Sequence, residues 1–118
     1  IIEVCAEFGI KAETREGRVG LWVTHPDASS NSDHQIRSKG PGGMPCREEK
    51  IAALGIRMRR WVSFHGASLN LNPELEHFNG IVPCGIKEHG VTSFSSLEKE
   101  FSTDQVDETL RRLFHRHF

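Results

Sequence analysis

One cysteine stands out as a candidate for chemistry because of its immediate neighbours. Cys84 lies between Pro83 and Gly85 and follows the apolar pair 81–82. Proline fixes its own φ angle and lacks an amide donor, whereas glycine permits a sharp turn. We therefore expect the thiol to be presented at a rigid bend, and we interpret Cys84 as a nucleophile able to carry an acyl group.

A nucleophilic thiol needs a neighbouring cation or base, because a thiol of pKa about 8.5 is only a few per cent ionised at neutral pH. Lys50 stands at the head of a predicted strand, and His65 lies within the next one beside Gly66. A lysine at a strand end is more often a solvated charge, and a lone histidine is more often a structural group. Neither position alone establishes a catalytic role.

The hydrophobic pattern predicts the elements that must position these residues. We predict a short helix over 1–8 that ends at Gly9, and strands over 18–23, 50–59 and 61–72. The spacing of Ser95 to Glu98 and of Ser102 to Gln105 is that of a capping box, so each pair predicts a helix start. The apolar positions expected to face inward are Cys5 in the first helix, Val19, Leu21 and Val23 in the first strand, Leu69 and Leu71 in the third, and Val106, Leu110, Leu113 and Phe114 in the last helix.

Residues 25–47 are rich in proline, serine, asparagine, aspartate and glycine, which predicts a long flexible loop between two strands. His25, His34 and Cys46 lie in it and are candidate zinc ligands. The segment has neither a Cys-x-x-Cys nor a His-x-x-x-His spacing, so we favour a solvated insertion without a metal.

The composition excludes several classes of protein. The 118 residues suffice for one domain, and a net charge of -1 disfavours a nucleic-acid surface. No apolar run approaches the roughly 20 residues of a membrane helix, and no signal peptide is visible. Three cysteines without regular spacing indicate free thiols, so we expect a cytoplasmic protein. Arg57, Arg59 and Arg60 form a basic stretch, interpreted either as a solvated strand face or as a docking site for an acidic partner.

Three blocks together resemble the lipoyl(octanoyl) transferase family in their order and spacing. They are KIAALGIR at 50–57, SFHGASLN at 63–70 and PCG at 83–85. Each block alone is unspecific, but the combination is highly specific. The resemblance covers the chain from residue 1 to about Leu97, except for the 25–47 segment, which is longer than usual for the family.

The resemblance implies an α+β fold, in which helices flank a mixed, largely antiparallel sheet, as in the catalytic domains of biotin and lipoate protein ligases. It places an acyl-thioester intermediate on Cys84, and it gives Lys50 the tasks of lowering the pKa of that thiol and moving protons. His65 and Asn70 match supporting positions near the pocket. The residues implied to line the acyl chain are Ala53, Leu54, Gly55, Gly66, Ala67 and Ser68. No cofactor and no metal is expected, because the thioester donor is already activated.

The implied partners are octanoyl-acyl carrier protein as donor and, as acceptors, lipoyl domains of 2-oxoacid dehydrogenases and the glycine cleavage H protein. Family members also carry an N-terminal half with an Arg-Gly-Gly…Thr-x-His-Gly-Pro-Gly-Gln segment. Only a superficial echo of it exists here, at residues 40–43. Because the chain also opens at Ile1, we expect 1–118 to be the C-terminal portion of one catalytic domain, with apolar surface exposed where the missing N-terminal segment belongs.

Two alternatives stay open. One is a relative of the ATP-dependent lipoate or biotin protein ligases, which adenylate a free acid and need no nucleophilic cysteine. The other is an inactive, truncated remnant that binds lipoyl domains without catalysis. The Pro-Cys-Gly motif together with Lys50 favours the transferase.

Overall fold

The computed structural model describes residues 1–26, 38–39, 45–74 and 90–118. Two helices and six strands lie within these ranges. The helices are α1 (Ile2–Glu7) and α2 (Thr103–His117), and the strands are β1 (Ala12–Arg15), β2 (Arg18–Pro26), β3 (Ser38–Lys39), β4 (Pro45–Arg59), β5 (Val62–Leu69) and β6 (Gly90–Val91).

The long strand β4 is the centre of the sheet. One of its edges pairs antiparallel with β2, from Cys46 opposite Pro26 to Ala52 opposite Leu21, and β2 continues to β1. The other edge pairs antiparallel with β3 and β5 and parallel with β6. The predicted mixed, largely antiparallel sheet is therefore confirmed.

Both helices pack on one face of this sheet and close the hydrophobic core. Phe94 is fully buried there, and its ring centroid lies 5.4 Å from that of Phe8 and 5.5 Å from that of Phe101. The helix predicted after Ser102 is confirmed, with both hydrogen bonds of its capping box present. The buried core residues are Val4, Cys5, Ile10, Ala12, Leu21, Val23, Ile51, Ala52, Phe94, Val106 and Leu113.

A β-bulge in β4 decides which side chains face this core. Leu21 lies opposite Ala52, but Trp22 lies opposite Lys50, so one step along β2 corresponds to two steps along β4. Ile51 is the extra residue, and it joins Ala52 in the core. A regular strand over 50–59, as the sequence predicts, would alternate strictly and place Ile51 and Ala52 on opposite faces, and that prediction is wrong at this point.

The predicted loop over 25–47 is wrong at its ends. β2 extends through His25 to Pro26, the short strand Ser38–Lys39 lies inside the segment, and β4 begins at Pro45. Polar residues adopt strand structure here because β4 offers its backbone groups on both edges. Residues 27–37 and 40–44 lie outside the described ranges.

Four local expectations are also corrected. Val19 is 66% exposed, because the buried run of β2 comprises four consecutive residues from 20 to 23. Ser95 does not begin a helix: residues 94–98 form a turn in which the Ser93 hydroxyl accepts a hydrogen bond from the Ser96 amide. Gly66 interrupts the predicted third strand, and an isolated glycine in a strand often marks a bulge, but β4 and β5 pair without a register shift. Leu110 and Phe114 are more exposed than predicted, at 41% and 56%.

Beyond Ala53 the β4–β5 hairpin extends past the rest of the sheet. Its two-residue turn, Arg60-Trp61, has positive φ angles of 51° and 66°, which match the right-handed twist of the strands. Large apolar side chains of the hairpin are exposed in the part of the chain that the structure describes: Ile56, Met58, Trp61, Val62 and Phe64. Neither described helix is long and apolar enough to span a bilayer.

Candidate active site

Lys50 is buried on the face of the sheet opposite the core. Only 7% of it is exposed, and its Nζ lies 5.7 Å from the centroid of the Trp22 ring. It also lies within β4 and not at the head of a strand, because β4 begins five residues earlier. Burying an ammonium group is costly unless its surroundings compensate. The interpretation of Lys50 as a solvated charge is therefore wrong.

The side chain of Lys50 crosses β2 at Gly20. An added Cβ at Gly20 would lie 2.4 Å from Cε of Lys50 and 2.7 Å from the carbonyl oxygen of Ala52. Gly20 has a φ angle of +120°, which residues with a side chain rarely adopt. The sequence analysis missed this glycine, since it lies 30 positions from Lys50 and carries no motif.

The first described segment after Cys84 in the sequence, which begins at Gly90, pairs with β4 at Lys50. Val91 in β6 lies beside Lys50 in the parallel pairing, and the Thr92 amide donates to the Lys50 carbonyl at 2.9 Å. Asn70, predicted as a supporting residue, stabilises this junction. Its side-chain amide donates to the Thr92 carbonyl at 3.1 Å, and its backbone amide donates to the Ile51 carbonyl at 2.9 Å.

A buried carboxylate organises the same face of the sheet. Glu48 is 5% exposed and accepts hydrogen bonds from both Arg15 and Arg18. The Arg18 guanidinium lies 4.7 Å from the centroid of the Trp22 ring. The hydrogen bond from Arg15 to the Glu48 carboxylate raises the pKa of the Arg15 guanidinium above its usual value. This cluster was not found from the sequence, because Glu48 lies 33 and 30 positions from its arginine partners.

The hairpin brings together the residues predicted to line the acyl chain. Ala53 lies opposite Ser68, Leu54 opposite Ala67 and Gly55 opposite Gly66. They border an open depression of about 690 Å³. Strand alternation divides the three pairs between the two faces of the sheet, so Leu54 and Ala67 point away from the face that holds Lys50.

His65 is not brought to Lys50. It lies opposite Ile56, six residues along β4 from Lys50, which corresponds to about 20 Å of extended strand. His65 also has a φ angle of +68°, which strains a residue with a side chain by roughly 1–2 kcal/mol. Such strain often accompanies a functional position.

The comparison with known proteins decides the family. A family model described as the lipoyl protein ligase A/B catalytic domain matches residues 1–115. The chain belongs to this family. Within it, the chain groups with the octanoyltransferases: the octanoyltransferase of Paracoccus versutus is 48% identical over all 118 residues, which are 70% of that protein.

Other octanoyltransferases are equally similar but longer. That of Cereibacter sphaeroides is 52% identical and that of Bartonella quintana 48% identical, each over the whole of this chain. The matched region is 50% of the first relative and 44% of the second. The chain thus spans about half the length of most of these curated relatives.

The remaining expectations about ligands concern residues that the structure describes only in part. Cys84 and His34 lie outside the described residues, and so does the side chain of Cys46. His25 is described, and its Nε2 lies 3.1 Å from the Glu49 carboxylate. Within the described ranges no group of histidine, cysteine and acidic side chains is arranged to hold a metal ion.

Cys5 of this octanoyltransferase-family chain is a core residue, as predicted. It is fully buried in α1, and burial raises the pKa of its thiol from 9.0 to about 11. Between pH 9 and 11 the unfolded chain would release this proton and the folded chain would keep it, so stability falls as pH rises.

We expect Cys5→Ser to reduce this loss of stability by up to about 1.4 kcal/mol per pH unit. Urea unfolding of the variant and the parent at pH 9, 10 and 11 measures the difference. Val4→Ala, at the neighbouring buried position, should weaken the fold at each pH without changing the slope. Equal slopes for Cys5→Ser and the parent would contradict the prediction.

Proposed function

We propose that the polypeptide carrying this chain transfers an octanoyl group from acyl carrier protein to a lysine of lipoyl domains, through a thioester on Cys84. The observation that carries the proposal is the buried Lys50, whose ammonium lies against Trp22 beside the strand that follows Cys84. The relatives named octanoyltransferase support the acyl group transferred. The acceptors we propose are lipoyl domains of 2-oxoacid dehydrogenases and the glycine cleavage H protein.

Chain connectivity permits the proposed meeting of Cys84 and Lys50. Gly90 follows Cys84 by six residues and pairs with Glu49, the neighbour of Lys50. Six residues span at most about 20–22 Å when fully extended. The connection is therefore long enough for the thiol to reach the ammonium, as the proposed chemistry requires.

In the first step, the Cys84 thiolate attacks the carbonyl carbon of the octanoyl thioester. The new sulfur–carbon bond forms as the bond to the carrier's sulfur breaks, and the carrier leaves as a thiolate that takes up a proton. The Lys50 ammonium favours the attacking thiolate over the thiol, because an opposite charge nearby stabilises the ionised form. The same ammonium is a proton donor for the departing thiolate.

In the second step, the ε-amine of the acceptor lysine attacks the thioester on Cys84. The amide bond forms, the bond to the Cys84 sulfur breaks, and the amine gives up a proton. Lys50, neutral after donating in the first step, accepts that proton and returns to its starting charge. The cycle needs neither ATP nor a metal, because the energy of the amide bond comes from the donor thioester.

Mass spectrometry of the complete catalytic domain tests this function. After incubation with octanoyl-acyl carrier protein and no ATP, we expect one octanoyl adduct on Cys84 that hydroxylamine removes. Cys84→Ser should form no hydroxylamine-labile adduct, and Cys46→Ser should label like the parent. We expect the protein to act in the cytoplasm, where thiols stay reduced.

The family includes lipoyl protein ligases, so an ATP-dependent ligase is the second candidate. It predicts that acceptor modification requires ATP and a free acid and persists in Cys84→Ser. A non-catalytic lipoyl-domain-binding remnant predicts no modification under either condition. Each of these results would overturn the proposed thioester route.

A further inference from the structure

We propose that Gly20 is a positioning residue that supplies the space in which the Lys50 side chain is held. The inference rests on the proposed function, since it concerns the ammonium group assigned to act on Cys84. Gly20 would touch neither substrate nor thiol, and it would act only through the placement of Lys50.

The collision geometry is the first argument. A Cβ at Gly20 would approach Cε of Lys50 to 2.4 Å and its Nζ to 3.2 Å, so the last two atoms of the lysine pass directly over the glycine. The same Cβ would lie 2.7 Å from the carbonyl oxygen of Ala52, which is backbone and cannot rotate away. A methyl group at this position therefore displaces the lysine or separates β2 from β4.

The bulge and the indole ring are the second argument. The extra residue Ile51 sets Lys50 directly opposite Trp22, and the ammonium lies 5.7 Å from the indole centroid. Arg18 contacts the same ring at 4.7 Å, and Glu48 holds Arg18. The Lys50 side chain thus lies between the Trp22 ring, which Arg18 also contacts, and the backbone of Gly20. This arrangement limits the positions that the ammonium can adopt.

The test is Gly20→Ala in the complete catalytic domain. We expect the rate of Cys84 octanoylation and kcat to fall by about 10–100-fold, with little change in KM for octanoyl-acyl carrier protein. We also expect the pH profile of Cys84 alkylation by iodoacetamide to move to higher pH, because a displaced ammonium stabilises the thiolate less. A purely structural role for Gly20 would lower the amount of folded enzyme and leave that profile unchanged.

Gly17→Ala is the matched control. Gly17 also has a left-handed φ angle, +73°, but an added Cβ there meets no atom within 4 Å. Gly17→Ala therefore places a side chain at a positive φ angle without the collision, and we expect an unchanged alkylation profile and a rate within twofold of the parent.

The outcomes separate this inference from the proposed function. If the parent forms no adduct on Cys84, the proposed function fails, whatever Gly20 does. If the parent forms the adduct and Gly20→Ala keeps its rate and alkylation profile, the positioning role is overturned. If Gly20→Ala does not fold, the substitution is repeated together with Lys50→Ala. Recovery of folded protein shows that the methyl group collides mainly with the Lys50 side chain, and it supports the inference. Failure to recover folded protein assigns the collision to the Ala52 carbonyl, which the double variant retains, and it overturns the inference.

Discussion

Replacing Lys50 with methionine in the complete catalytic domain should lower kcat for octanoyl transfer by about 10²–10⁴-fold, the usual contribution of a positioned acid or base. Methionine keeps the length and the apolar stem of lysine, so its packing against Trp22 should persist. The lost charge should also move the alkylation profile of Cys84 to higher pH. Steady-state kinetics and iodoacetamide labelling across pH measure the two effects.

Lys11→Met is the matched control for this substitution. The Lys11 side chain is 88% exposed and pairs with Glu13 at the surface, so its removal should leave kcat and the labelling profile within twofold of the parent. A Lys50→Met enzyme that retains more than a third of the parent kcat would contradict the role proposed for Lys50. If Lys50→Met retains that activity and still forms the octanoyl adduct on Cys84, another cation must stabilise the Cys84 thiolate.

Replacing Phe94 with alanine should destabilise the fold by about 3–5 kcal/mol, the usual cost of truncating a buried aromatic ring. Phe94 has no exposed surface and contacts the rings of Phe8 and Phe101, which come from opposite ends of the chain. The truncation therefore removes apolar contacts and leaves a cavity between α1 and the segment that precedes α2. Urea unfolding followed by circular dichroism measures the change in free energy.

Phe118→Ala provides the comparison at an exposed ring. Phe118 is 90% exposed and touches Phe114 by stacking at 4.7 Å, so its loss should cost less than about 1 kcal/mol. A cost below 1 kcal/mol for Phe94→Ala would contradict the burial of the Phe94 ring in the core beside α1 and α2.

The residues of the candidate site were found by type and motif, whereas their surroundings were not. Lys50 was identified because it opens a block shared with a family, and its chemistry follows from its side chain. Its burial, its contact with Trp22 and its dependence on Gly20 follow from the pairing of β2 with β4. That pairing joins positions about 30 residues apart, which local sequence patterns do not report.

The sequence by itself determined the elements whose signals are local. Periodicity placed α1, the β5 strand and α2, and the Ser102–Gln105 spacing located the start of α2, because capping and amphipathicity depend on residues a few positions apart.

Only the tertiary structure decided the β-bulge at Ile51, the strands inside the predicted 25–47 loop and the Glu48 ion cluster. Each depends on which backbone edge or side chain a distant segment meets. The free energy of those contacts outweighs the weak local preferences of the residues that make them.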